Sequence, residues 1–280
     1  GQIDLGSGSL RAGADDGSAS FNGLIIGTGT LFKFGTGTWT LNGNNTYSGR
    51  TTVNAGTLVV NGSQPNSPVT VNGTATLMGD GVVGNLDVFG HLRPGSSPAI
   101  LTCSNFLFHS SAADYFVELN GPTPGVGYDQ LKVRGGVTLS NATLHATLGF
   151  PSAISNSFTI IDNDGTDAVT NTFLGLPQGA TLNLSGIPFA ISYTGGTGND
   201  VVLTQLAEPQ RPVLNIRSSA STNVVLSWGT NFTGFTLEAN TNLSTTVWAV
   251  VTDVPTISGT NNVVTNLVSG LEKYFRLRAP

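Results

Sequence analysis

Over roughly the first 200 residues, apolar side chains come in pairs two positions apart, inside short runs that stop at Gly or Asn-Gly. Trp39 with Leu41, Leu58 with Val60 and Val69 with Val71 each project to one face of an extended chain, because successive side chains in a strand point to opposite sides. Strands are predicted at 31–34, 39–41, 57–60 and 69–71, each with one face to bury. The pattern also repeats: Gly27-Thr-Gly-Thr-Leu31 is followed by Gly35-Thr-Gly-Thr-Trp39 and Ala55-Gly-Thr-Leu58. A strand-turn unit of roughly 20 residues cannot cover its own apolar face, and stacking such units into a solenoid is the usual solution.

The pattern breaks at Ala207-Glu-Pro-Gln-Arg-Pro212, where two prolines and two charges fall together as in a linker. Beyond it, strands are predicted at 223–228, 234–239, 247–251, 262–267 and 274–277, about ten residues apart, which is the signature of a small β-sandwich. Trp228 and Trp248 are expected to fill its core, since large aromatics dominate small cores. The organisation read from the chain is a solenoid over 1–206, a linker over 207–212 and a sandwich over 213–280.

Composition agrees with an all-β class. Charged residues make up 10% of the chain and Gly contributes 37 of 280 positions, against typical values of ~25% and ~7%. Few Lys and Glu argue against helices, while Thr, Asn and Ser suit turns and exposed strand faces. A hydrophobic content of 39% supplies enough apolar surface to fold. The net charge of −5, with Lys and Arg scattered singly, offers no basic stripe, so nucleic acid is not an expected partner. Cys103 is the one cysteine; it excludes an internal disulfide and, in the apolar stretch 100–108, is expected to be a core residue. No run approaches the ~18 apolar residues of a membrane helix, and membrane insertion is not expected. The sequence opens at Gly1 within a strand-like pattern and shows no signal peptide, as expected of a processed product or a fragment.

The order Asn45-Thr-Tyr47, Gly49, Thr51-Thr-Val53 and Ala55-Gly-Thr-Leu58, within a repeat at about 27–62, resembles the autotransporter-associated β-strand repeat of secreted bacterial surface proteins. His91-Leu-Arg-Pro-Gly-Ser-Ser-Pro98, Tyr128-Asp-Gln-Leu-Lys-Val133 and the stretch 189–203 resemble the segment that commonly follows such repeats. The resemblance implies a right-handed parallel β-helix to about residue 205, an exported protein at the cell surface or outside the cell, and no catalytic residues. It covers no membrane-embedded β-barrel. Leu226-Ser-Trp228, Gly234-Phe-Thr-Leu-Glu-Ala239, Trp248 and Tyr274-Phe-Arg-Leu-Arg278 resemble the short fibronectin-like (Ig-like) domains that end many secreted bacterial proteins, which implies an accessory or surface-retention module.

Several constellations could carry chemistry. Gly195-Gly-Thr-Gly-Asn-Asp200 fits the calcium nonapeptide, and Asp162, Asp164 and Asp167 put three carboxylates within six residues, as a hard cation wants. The nonapeptide occurs once, without the neighbouring copies that would complete a coordination shell, and a tight hairpin joining 191–193 to 201–203 explains its glycines equally well. The acidic loop departs from an EF-hand order, and no metal or other cofactor is expected to be required. His91, His109 and His145 have no ligand at useful spacing, so zinc is not expected. Asp129, Lys132 and Arg134 are the nearest thing to the carboxylate and base of a polysaccharide lyase, but alternation puts Lys132 and Arg134 opposite Leu131 and Val133, as on a solvated face. Tyr47, in a Gly/Asn/Ser turn, is the better candidate among the aromatics for a surface ring that contacts a glycan, but the regularity of its position in the resembling repeat makes a structural role in the turn the first reading. Ile3, Leu5 and Leu10 form a strand-like amino-terminal rung expected to pair with another copy, head to tail. The function expected is a structural surface protein without catalysis: a stalk, an adhesin segment or a self-assembling filament subunit whose partners are its own copies or cell-surface glycans. The alternative is a glycan-binding or glycan-cleaving module.

Overall fold

The computed structural model describes residues 1–95, 98–208, 211–219, 223–268 and 272–279. Ser96 and Ser97 of the His91–Pro98 stretch, and Pro209 and Gln210 of the predicted linker, lie outside the described residues. Every regular element among the described residues is a strand. The chain divides into two compact units, Gly1–Glu208 and Pro209–Pro280.

The first unit is a solenoid of three stacks, two of seven parallel strands and one of eight of which the first five in chain order are parallel, with Gln2–Asp4 paired to Leu24–Ile26 as a further two-stranded sheet. Consecutive rungs lie in register, so equivalent side chains form columns. In the first stack one column runs Leu10, Leu31, Thr51, Val69, Leu86, Phe106 and Val137. In the second it runs Trp39, Leu58, Leu77, Leu92, Tyr115 and Leu144, and in the third Leu101, Leu131 and Ile161. Most of these side chains are fully buried. Each such Leu or Val contributes about 1.5–3 kcal/mol on leaving water, so the repeated alternation is what selects the fold.

The corners explain the Gly and Asn. At Gly43 a Cβ would overlap the carbonyl oxygen of Gly23 on the rung before, and the same relation recurs between Gly62 and Gly43 and between Gly81 and Gly62. Only glycine lets the turns stack this closely. Asn side chains form ladders beside them: the amide of Asn42 donates to Asn22 at 2.6 Å, Asn61 to Asn42 at 3.0 Å, and Asn105 to Asn85 at 2.9 Å.

One of the inward columns carries a charged side chain. Lys33 stands between Ala12 and Val53, in a column that continues through Val71, Val88 and Phe108, and it is fully buried. Its ammonium turns into the corner and donates to the carbonyls of Phe34 at 2.6 Å, Gly35 at 2.9 Å and Ala55 at 3.2 Å, which uses all three of its protons.

The parallel winding does not continue to residue 205 as expected. Ser157–Asn163 pairs antiparallel with Asp200–Gln205, which pairs antiparallel with Ile187–Gly195, which pairs antiparallel with Thr181–Leu184. The glycine-rich turn after Gly195 reverses the chain too tightly for a crossover, because parallel strands need a connection of a dozen or more residues. The hairpin that the glycines predicted is present, with Ile191 opposite Leu203.

In the second unit, Asn215–Ser219, Asn223–Gly229, Asn261–Leu267 and Thr256–Ser258 form one antiparallel sheet, and Ala249–Val250, Thr236–Asn240 and Tyr274–Arg278 form another. Leu226, Trp228 and Val264 of the first bury against Leu237 of the second, with Phe275 and Leu277 packed around them. Trp248 is not part of this core. It is half-buried outside any strand, under the guanidinium of Arg276 whose Cζ lies 4.3 Å from the ring. The predicted strand over 247–251 shrinks to Ala249–Val250, leaving Trp248 in the preceding loop. Arg276 and Arg278 in turn hold the buried carboxylate of Glu238 at 2.8 and 2.6 Å, and the Arg278 hydrogen bond leads in keeping that carboxyl below its usual range.

Candidate functional site

The two candidate calcium loops, remote in sequence, meet in the fold. Asp200 is almost fully buried, yet its carboxylate is already engaged: one oxygen accepts the backbone N–H of Asn163 at 2.9 Å and the other that of Thr197 at 2.9 Å. The amide of Asn199 donates to the carbonyl of Asp167 at 3.1 Å, and the amide of Asn163 donates to the same carbonyl at 2.8 Å. Backbone oxygens that a cation would want are thus capped by amide N–H groups. Asp164 and Asp167 are exposed, and Asp162 is paired with Lys132 at 3.3 Å on the outer face. Among the described residues no group of three or more His, Cys, Asp or Glu side chains converges as a metal site.

Asp129 parts company with Lys132 and Arg134. It lies inside, where its two carboxylate oxygens accept the N–H groups of Ala99 and Glu118, each at 2.9 Å, whereas Lys132 and Arg134 are exposed. Burial pushes the Asp129 carboxyl up to about 6 against the pull of those two hydrogen bonds. With both oxygens occupied as acceptors, it clamps two segments of backbone. Cys103 is buried in the third stack, and burial drives its thiol far above the ordinary range, which makes it inert.

Tyr47 is not a surface ring. It is completely buried, because the turn that carries it folds inward: its backbone N–H donates to Ile25, and its hydroxyl lies 2.6 Å from that of Thr51. Thr51 is linked to Ser67 at 2.8 Å, and Ser67 donates to the carbonyl of Gly49. A polar chain inside the solenoid therefore ties three turns together. Ile3, Leu5 and Leu10 are half-buried and packed against the core, in or beside strands that stand at the edges of their sheets.

Stacking creates one constellation that spacing along the chain did not reveal. Asp114 lies opposite His91 on the neighbouring strand, with the two side chains 2.8 Å apart but out of line for a hydrogen bond, and His145 meets its other oxygen at 2.8 Å. His109 lies 3.6 Å from Asp87, which also pairs with Arg50 at 3.4 Å. Among the described residues no serine hydroxyl is hydrogen-bonded to any of these histidines.

Comparison with known proteins fits this architecture. Residues 31–60 match the passenger-associated-transport-repeat family. Over 98 residues, a third of this chain, the sequence is 40% identical to the adhesin BmaC autotransporter of Brucella suis biovar 1 (strain 1330). Over 192 residues, 66% of this chain, it is 32% identical to an extracellular serine protease of Serratia marcescens. The chain spans 3% and 17% of those two relatives. These similarities support an autotransporter-associated β-repeat at residues 31–60 within a passenger-type β-helix of the cell surface or extracellular space.

Proposed function

We propose that the solenoid is a non-catalytic passenger segment that serves as a stalk or adhesin shaft at the bacterial surface. The observation that carries this reading is the fate of the groups that could do chemistry. Asp129, Asp200 and Tyr47 are consumed in internal hydrogen bonds, and Lys132 and Asp162 form an exposed ion pair. What remains is an apolar interior of stacked columns inside a sheath of Thr and Asn ladders, which suits rigidity and reach. On this reading, a further rung adds to Gln2–Asp4 and Ser9–Ala12 as each internal rung adds to the last, whether from the same polypeptide or from another copy; a charged pair at Ile3 and Leu5 would then abolish any polymer seen by sedimentation. The second unit acts as an accessory module.

The relative named as a protease sets the test. The whole chain is incubated with casein and with neutral and acidic polysaccharides, and in parallel it is displayed on a non-adherent bacterium and scored for attachment. The reading expects no cleavage of any polymer. Turnover that Asp129→Asn or His145→Gln abolishes while the fold is kept would overturn it.

A further inference from the structure

All three histidines of the chain stand on the outside of one corner of the solenoid. Along the polypeptide Asp87, Phe89, His91 and Arg93 point outward in alternation with buried Val88, Gly90 and Leu92, carrying the surface from the first stack round to the second. The next rung adds His109, stacked on Phe89 with ring centroids 3.8 Å apart, then Asp114 and Phe116. The rung after adds His145, stacked on Phe116 at 4.6 Å. Arg93 lies over the same Phe116 ring, its Cζ 3.7 Å from the centroid, and makes no ion pair among the described residues. Two hollows flank the corner: one of about 350 Å³ on the first stack lined by Arg50, Asp87 and Asn105, and one of about 70 Å³ on the second lined by Arg93, Phe116 and Glu118.

The charges facing one another here are finely set. His91 and His145 face Asp114; His109 faces Asp87, which also serves Arg50; Arg93 shares its hollow with Glu118 and Asp129. With the imidazoles neutral, the acids outnumber the cations. With all three protonated, the cations outnumber the acids. Asp129, whose carboxyl burial already raises, sheds its charge in the same direction.

We propose that this corner is a proton-gated binding surface for a carboxylate-bearing polysaccharide, a polyuronate, which it holds in acid and releases near neutrality. Arg93, with its Cζ over the Phe116 ring, offers the donors of its planar fork to a carboxylate. The Phe89–His109 stack, with Phe89 40% exposed, is a wall for the C–H face of a sugar ring. The cationic groups are spread over successive rungs about 4.8 Å apart, which calls for repeated carboxylates along a polymer and not for one small acid. This goes beyond the non-catalytic reading and does not depend on it.

The test uses the whole chain over immobilised polygalacturonate and over a neutral galactan, in low salt. Binding to polygalacturonate is expected to be at least about tenfold tighter at pH 5 than at pH 8, with the neutral polymer left unbound. The triple variant His91→Gln, His109→Gln, His145→Gln removes most of the pH difference and leaves the part that Asp129 carries, and Arg93→Gln weakens binding in acid; Arg93→Lys, which keeps the charge and loses the fork, falls between. Lys132→Gln, an exposed cation on the third stack, leaves binding unchanged. Equal binding at the two pH values, equal binding to the neutral polymer, or a triple variant that keeps the full pH dependence of the wild type overturns the proposal. Shortening of the polymer counts against the non-catalytic reading alone.

Discussion

Replacing Lys33 with Met keeps the buried aliphatic stem and deletes the ammonium that bridges the carbonyls of Phe34, Gly35 and Ala55. Two effects oppose each other. The ammonium's desolvation, which pulls its pKa below the ordinary lysine value while nearby Asp16 pulls back up, is relieved. Against that, hydrogen bonds to a charged donor contribute about 1.5–3 kcal/mol each in net terms, and carbonyls left unmet in a dry corner cost about 1–3 kcal/mol apiece. Three charged-donor hydrogen bonds lost together outweigh the relieved desolvation, so a net destabilisation of about 2–4 kcal/mol is expected. In a unit of this size that lowers the melting temperature by roughly 5–15 °C. Calorimetry on the whole chain measures it, and amide exchange should locate the loosening at the rungs of 30–41 and 51–60. Lys132→Met removes only an exposed pair with Asp162 and should cost less than about 1 kcal/mol. The reasoning fails if Lys33→Met melts at or above the wild type, since the bridged carbonyls would then need no donor.

Tyr47→Phe removes the hydroxyl that meets Thr51 and should cost about 1–2 kcal/mol without changing the strand content seen by circular dichroism. Gly43→Ala drives a methyl into the carbonyl of Gly23 and should destabilise by more than about 3 kcal/mol, because backbone on both rungs must move. Asp129 has a folded-state pKa of about 6 against an ordinary 3.8, so the folded state holds its proton longer than the unfolded one. Its contribution to stability therefore falls as pH rises through that window, and denaturant titrations across it should show that slope in the wild type and not in Asp129→Asn. Excess calcium and chelator should give the same melting temperature; a chelator-induced drop of more than about 5 °C would contradict the capped geometry around Asp200.

The columns were legible because each rung states the same alternation. Trp39, Leu58 and Val69 announce their faces without reference to anything distant. The hairpin from Ile191 to Leu203 was legible for the same local reason. For Tyr47 the structural reading holds and the glycan-contact one fails, because turn composition signals solvent whereas this turn folds inward and its hydroxyl finds Thr51 within the core. Trp248 reads as a core aromatic from its apolar neighbours, yet it caps the sheet under Arg276, a partner far along the chain. The histidine corner is the clearest case. His91, Asp114 and His145 share no spacing that names a site, and they meet only because three rungs of unequal length stack in register.

That unequal length has a mechanical consequence. Inter-rung hydrogen bonds run along the solenoid axis, so a pull on the two ends of the unit loads the outermost rung first and peels the structure turn by turn. Each turn releases its own contour: the register advances from Leu31 to Thr51, from Thr51 to Val69, from Val69 to Leu86, and then, in a much longer excursion, from Phe106 to Val137. At about 3.3–3.6 Å per residue, an ordinary turn pays out some 60–70 Å and the long one roughly 100 Å. Such a shaft is stiff below its peeling force and lengthens in a fixed sequence of unequal steps above it, so that a cell tethered through it would be let out gradually under flow while the remaining turns stay wound.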